Sequence, residues 1–166
     1  VTIMKKILIA LALFSSLSVS ANQDAEVLGV AFGSTCEETV QKLNKDYGTP
    51  KSQSADKLVY LNEMFEGFKA DRVELGFQDL QGTTKLNQAR FYFVCPNKAA
   101  AIARMKSLVK KMETRYSVSY DEEDGGTAFY KGGNSPLGIG CLFTIFVSPY
   151  QGKWTCQLRY GKFQFK

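Results

Sequence analysis

The chain contains no histidine. That removes the usual general base near neutral pH, the Ser/His and Cys/His pairs, and the commonest zinc ligand. A hydrolase built from this sequence has to work with carboxylates or lysine. No Gly-x-Ser-x-Gly elbow and no Walker loop occur. Gly132-Gly133-Asn134-Ser135 lacks the Gly-Lys that would follow in a phosphate cradle, so it reads as a loop. Cys-x-x-Cys is absent, which excludes a thioredoxin-type redox site. Residues 22–166 hold no Asn-x-Ser/Thr sequon. After the first apolar stretch, no run approaches the ~20 residues that a transmembrane helix needs, so no transmembrane segment is expected. A net charge of +5 is too modest to imply nucleic acid.

What is present begins with Met4-Lys5-Lys6, the apolar run from Ile7 to Phe14, and the small residues Val19-Ser20-Ala21. Basic, apolar and small in that order describe a secretory signal peptide. Residues 1–21 are read as that segment, with Met4 as its start, and residues 22–166 as one α+β domain. A lipoprotein would need a cysteine where Asn22 stands. The expected location is periplasmic or secreted. In such an oxidising compartment, the four cysteines Cys36, Cys95, Cys141 and Cys156 favour two disulfides. Three connectivities are open. Cys141 and Cys156 share the apolar face of neighbouring strands, which favours Cys141–Cys156, with Cys36–Cys95 following.

Periodicity orders the domain. Residues 26–32 read as a strand, broken by Gly33. Ser34 and Glu37 match a capping box, and Cys36, Val40, Leu43 and Tyr47 form one apolar stripe, predicting a helix over 35–46. Strands follow over 57–61, 72–78 and 86–95, the last two with alternating apolar residues. Asn97 is the expected cap of a second helix, whose buried face is Ile102, Met105, Val109, Met112 and Tyr116. Lys98, Arg104, Lys106, Lys110 and Lys111 occupy its other side. Strands over 117–120, 127–131, 141–147 and 154–160 complete the chain. Short links imply antiparallel pairing. The expected fold is a curved, mostly antiparallel sheet with both amphipathic helices on one face. The second half loosely repeats the first.

Leu28-Gly29-Val30-Ala31-Phe32-Gly33-Ser34-Thr35-Cys36-Glu37-Glu38-Thr39-Val40, followed by Leu43, Gly48 and Pro50, runs strand, glycine, Ser/Thr cap, paired acids, helix, Gly-x-Pro. This resembles small exported proteins of the β-lactamase-inhibitor-like group, which includes small outer-membrane assembly lipoproteins. The stretch covers about a sixth of the chain. The chain departs from those lipoproteins in lacking a lipidated cysteine, and no inhibitory loop aligns. The resemblance implies a non-enzymatic protein-binding surface on an exposed sheet face, with another envelope protein as partner, and transfers no individual residue.

The same face emerges from strand parity. Arg90, Tyr92, Thr155, Gln157 and Arg159 point away from the core, and Tyr/Arg surfaces are favoured at protein interfaces. Arg90, Tyr92, Gln157 and Arg159 are the partner-binding candidates. Trp154 points inward. Lys106, Lys110 and Lys111 offer an alternative, a site for anionic lipid or polysaccharide, weighed against an ordinary solvated helix face. Cys36 sits where a helix start favours a thiolate, but on the apolar stripe and without a base. Asp121, Glu122, Glu123 and Asp124 do not match an EF-hand, and an acidic turn between strands needs no calcium. No metal or cofactor is expected. The leading reading is a binding module, and the alternative is an enzyme of unrecognised type.

Overall fold

A computed structural model describes residues 25–123 and 127–166. The expected signal peptide lies outside the described residues, as does Asp124 of the acidic turn. The elements are β1 (Glu26–Val27), β2 (Val30–Ala31), α1 (Cys36–Tyr47), β3 (Ser52–Gln53), β4 (Lys57–Phe65), β5 (Phe68–Leu80) and β6 (Thr83–Cys95), then α2 (Lys98–Met112), β7 (Val118–Glu123), β8 (Thr127–Gly132), β9 (Phe143–Tyr150) and β10 (Lys153–Gly161).

β3 to β10 form one eight-stranded sheet in the order β3-β4-β5-β6-β10-β9-β8-β7. Every neighbouring pair in it is antiparallel. The order has a two-fold pattern. Each half is a helix followed by a four-strand meander, and the last strands of the two meanders, β6 and β10, join at the centre. Tight turns enforce the antiparallel neighbours. Glu66-Gly67, Gln81-Gly82 and Gln151-Gly152 each place both residues at positive φ, the geometry of two-residue turns that match strand twist.

The helices cover one face, as expected. Leu43 of α1 and Met105, Leu108, Val109 and Met112 of α2 share a core with Tyr60, Val73, Phe91, Leu158 and Ile145. Those strand residues lie side by side in register, Tyr60 opposite Val73, Val73 opposite Phe91, Phe91 opposite Leu158, and Leu158 opposite Ile145. Leu108, which the periodicity passed over, is fully buried, while Ile102 is half-buried. Asn97 caps α2 by accepting from the Ala100 amide at 2.8 Å. Asn97→Ala is expected to lower stability by about 1 kcal/mol, read as a shifted denaturation midpoint.

Three expectations are corrected. The first strand is a miniature hairpin, because Leu28 (φ 56) and Gly29 (φ 72) turn the chain back on itself. The helix cap is Thr35, whose side chain accepts from the Glu38 amide at 3.2 Å while Glu38 accepts from the Thr35 amide at 2.9 Å. Ser34 is displaced from that role because its carbonyl takes the Leu86 amide at 2.7 Å and ties it to β6.

The disulfide assignments are the third correction, since all four cysteines are free thiols. The Cys36 amide bonds Thr84 Oγ1 at 3.2 Å, near the start of β6. Cys95 ends that strand, about 35 Å away at ~3.4 Å per residue. Cys156 stands opposite Val147, so Cys141 is roughly 15–20 Å up the chain from its level. Parity selects a face but not a height along it. Cys95 lies opposite Trp154, diagonal to Cys156. Iodoacetamide is expected to modify the half-buried Cys36 and Cys141 before the buried Cys95 and Cys156.

Burial pushes the Cys156 thiol up from 9.0 to about 12, with Cys95 adding to the effect, and burial also raises Tyr160. The native state then holds protons that the unfolded chain releases. Stability is expected to be unaffected by these groups below about pH 9 and to fall from there toward about pH 12. Denaturation midpoints across that window test this, and a flat profile contradicts it.

Candidate binding face of the sheet

Alternation along β6 and β10 turns Phe91, Phe93, Cys156 and Leu158 to the helices, so Arg90, Tyr92, Val94, Thr155, Gln157 and Arg159 occupy the opposite face. The register places Arg90 directly opposite Arg159, Tyr92 opposite Gln157, and Val94 opposite Thr155. All four partner-binding candidates thus meet in one patch on the central strand pair.

Their exposures differ, which refines the expectation. Tyr92 is 3 % exposed, Gln157 7 % and Thr155 0 %, while Arg90 and Arg159 are half-buried. The Tyr92 ring stacks on Tyr150 at 4.4 Å. One ring comes from β6 and the other from β9, so the pair lies over β10 between them and closes Thr155 beneath. Thr155 Oγ1 donates to the Ser148 carbonyl at 2.6 Å and accepts from Gln157 Nε2 at 3.0 Å. Tyr92, Gln157 and Thr155 are therefore the floor of the patch, and the arginines are its accessible groups. Burial pushes the Tyr92 phenol up, against a hydrogen bond from Arg90 that lowers it.

Neutral groups hold Arg90. With its amide turned carbonyl-first, Gln88 accepts from Arg90 Nη2 at 3.0 Å and Nε at 3.1 Å. The Arg159 guanidinium lies over Phe146, 5.0 Å from the ring centre. Beside them, Arg72 Nε donates to Glu74 at 2.7 Å. Arg72, Glu74 and Phe146 were legible from the same parity, since they alternate with the core residues of β5 and β9. Tyr150 was not, because the sequence places it in a turn.

The segment 133–142 borders this face. Ile139 is 87 % exposed, and Leu137 is exposed too. A cavity of about 320 Å³ lies among Leu137, Ile139, Thr144, Arg159 and Lys162. A larger one, about 800 Å³, includes Glu26, Arg115, Ser119, Lys131 and Cys141 in its lining. Glu26 is the one carboxylate lining it among the described residues. The paired acids of a carboxylate-based hydrolase are not assembled there.

Lys106, Lys110 and Lys111 are exposed on α2, across the sheet from Arg90 and Arg159. Lys110 and Lys111 are in the last helical turn, where cations complement the helix dipole. Arg104 and Lys98 do not extend this patch freely. Arg104 packs over Phe68 at 5.2 Å, and Lys98 over Trp154 at 5.4 Å. The acids of β7 diverge. Asp121 bonds Lys131 on one face, and Glu122 accepts from the Tyr120 hydroxyl at 2.7 Å on the other strand side. Among the described residues, no three or more His, Cys, Asp and Glu group as a metal site. No described helix is long and apolar enough to cross a membrane.

In comparison with known proteins, no family model matches this chain, nor does any curated protein or solved structure. The class defined by fold and face is a small α+β protein whose eight-stranded antiparallel sheet carries helices on one side and a polar, aromatic patch on the other.

Proposed function

We propose that this chain is a periplasmic or secreted, non-enzymatic protein-binding module, inhibitor-like or assembly-related, that docks another envelope protein on its open sheet face. One observation carries the reading: Arg90, Tyr92, Gln157 and Arg159 form a contiguous patch on the two central strands. Rigid strands with side chains locked by stacking and hydrogen bonds favour recognition, because little ordering entropy is lost on binding. Leu137 and Ile139 supply apolar anchors at its edge. The resemblance to the β-lactamase-inhibitor-like group points the same way.

A pull-down from the envelope fraction tests it. A saturable protein partner is expected that survives raised salt, weakens at least tenfold with Ile139→Asp, and is indifferent to Lys106→Glu with Lys110→Glu. Salt-sensitive recovery of lipid or glycan that depends on Lys106, Lys110 and Lys111 would instead support the polyanion reading. The exposure of those three lysines is the observation in its favour.

A further inference from the structure

Two thiols lie together where the two meanders join. Cys95 and Cys156 are both buried on the helix side of the central strand pair. Cys95 stands opposite Trp154 and Cys156 opposite Phe93, which makes the two cysteines diagonal neighbours. Register sets the Cα atoms of such neighbours about 7–8 Å apart, and by itself it does not bring two side-chain tips together. Two further observations do. The Val94 amide donates to Asp71 of β5 at 2.7 Å. Alternation therefore turns the Phe93 carbonyl the other way, toward β10 and Cys156. Cys95 Sγ lies 3.5 Å from that carbonyl oxygen, so the sulfur leans to the level of Cys156 and toward the strand that carries it. Cys95 is also close enough to raise the Cys156 thiol beyond the effect of burial. The other two cysteines have no such neighbour. Cys36 accepts from Gln53 of β3 at 3.9 Å, and Cys141 lines a cavity with Lys131 of β8. β3 and β8 lie on opposite wings of the sheet.

We propose that Cys95 and Cys156 are a redox pair: a small disulfide oxidant such as oxidised glutathione closes them into one intrachain disulfide that latches β6 to β10, while Cys36 and Cys141 stay thiols. This pairing is neither of the two that strand parity favoured, and the structure is its reduced form. Cys95, 8 % exposed against 0 % for Cys156, meets the oxidant first. Its thiolate attacks one glutathione sulfur and expels a glutathione thiolate, leaving a mixed disulfide. Cys156 then gives its proton to water, attacks Cys95 Sγ and expels the second glutathione. Two protein thiols and one glutathione disulfide become one protein disulfide and two glutathiones. Disulfide-bonded Cα atoms lie within about 6.8 Å, so closure draws the two strands roughly 1 Å nearer at this point. The site accommodates that shift, because Cys95 is the last residue of β6 and the ladder to β10 ends with it. The bond joins residues 61 positions apart, one from each meander, and so restricts the unfolded chain strongly. The inference goes beyond the binding-module reading and does not depend on it.

The test treats the full, reduced chain with oxidised glutathione under native conditions, then denatures it, alkylates it with iodoacetamide and digests it with trypsin. Cleavage after Arg90, Lys98, Lys153 and Arg159 leaves the two cysteines on separate short peptides. Mass spectrometry is expected to find those two peptides linked, two hydrogens lighter than their sum, with Cys36 and Cys141 alkylated. The urea midpoint is expected to rise by about 1–2 M on oxidation. Oxidation is expected to leave the midpoint of Cys95→Ala unmoved, whereas Cys36→Ala with Cys141→Ala keeps the full rise. If Cys95→Ala does not fold, the peptide map of the unaltered chain decides. Four alkylated cysteines, a mixed disulfide that stays on Cys95, or a bond that includes Cys36 or Cys141 overturns the proposal. A Cys95–Cys156 bond with an unchanged midpoint overturns its role as a latch.

Discussion

Phe91→Ala is expected to cost about 3–5 kcal/mol, a large part of the ~5–15 kcal/mol that holds a domain folded. Phe91 is completely buried on β6. Val73 and Leu158 flank it in register on the two neighbouring strands. Phe65 packs against it at 4.3 Å and Tyr160 at 6.2 Å. The neighbours come from three strands whose backbones are fixed by their own ladders, so the space left by the ring closes poorly and a cavity term adds to the lost transfer energy. Val94→Ala, on the same strand but exposed, is expected to stay within about 0.5 kcal/mol. Urea denaturation of the two variants compares them. Equal midpoints would place the core elsewhere.

The second large effect is at Tyr92, where folding and binding are entangled. Tyr92→Ala removes a buried ring and its stack with Tyr150, and uncovers the Thr155–Ser148 hydrogen bond. A loss of about 3 kcal/mol is expected. Tyr92→Phe keeps the stack and removes only the phenol oxygen that receives Arg90, costing about 0.5–1.5 kcal/mol. A binding defect in Tyr92→Ala alone therefore reports a damaged floor. A defect shared by Tyr92→Phe, which lowers the melting temperature far less than Tyr92→Ala, reports the orientation of Arg90. This separation matters because parity marks Tyr92 as a surface residue, whereas its ring lies flat across β10 and behaves as core.

Much of the fold was legible because its signals are local. The stripe Cys36, Val40, Leu43, Tyr47 marks α1 since those side chains recur every helical turn. Val73, Leu75 and Phe77 mark a one-faced strand in the same way, and Asn97 marks the start of α2. Turn chemistry was legible at Gln81-Gly82, while the turn expected over Pro149–Gly152 narrows to Gln151-Gly152, because Pro149 and Tyr150 pair within β9. It was missed at Leu28-Gly29, where an apolar residue adopts the left-handed conformation and the apolar run reads as one continuous strand. The cap at Thr35 was missed by one position because the Ser34 carbonyl accepts from the amide of Leu86, 52 residues away, and local pattern carries no trace of it.

The sequence by itself determined which residues share a face, because alternation and helical periodicity are properties of the backbone. It therefore determined the two helices, the antiparallel meanders, and the outward set Arg90, Tyr92, Gln157 and Arg159. Only the tertiary structure decided which strands meet and at what height. Pairing β6 with β10 joins residues from 59 positions apart (Cys95 and Trp154) to 73 (Gln88 and Gly161), an outcome of packing both meanders under two helices. That choice brings Arg90 against Arg159. Cys36 and Cys95 stand apart because α1 docks at the start of β6, and Cys141 and Cys156 because the β9–β10 register sets them at different heights.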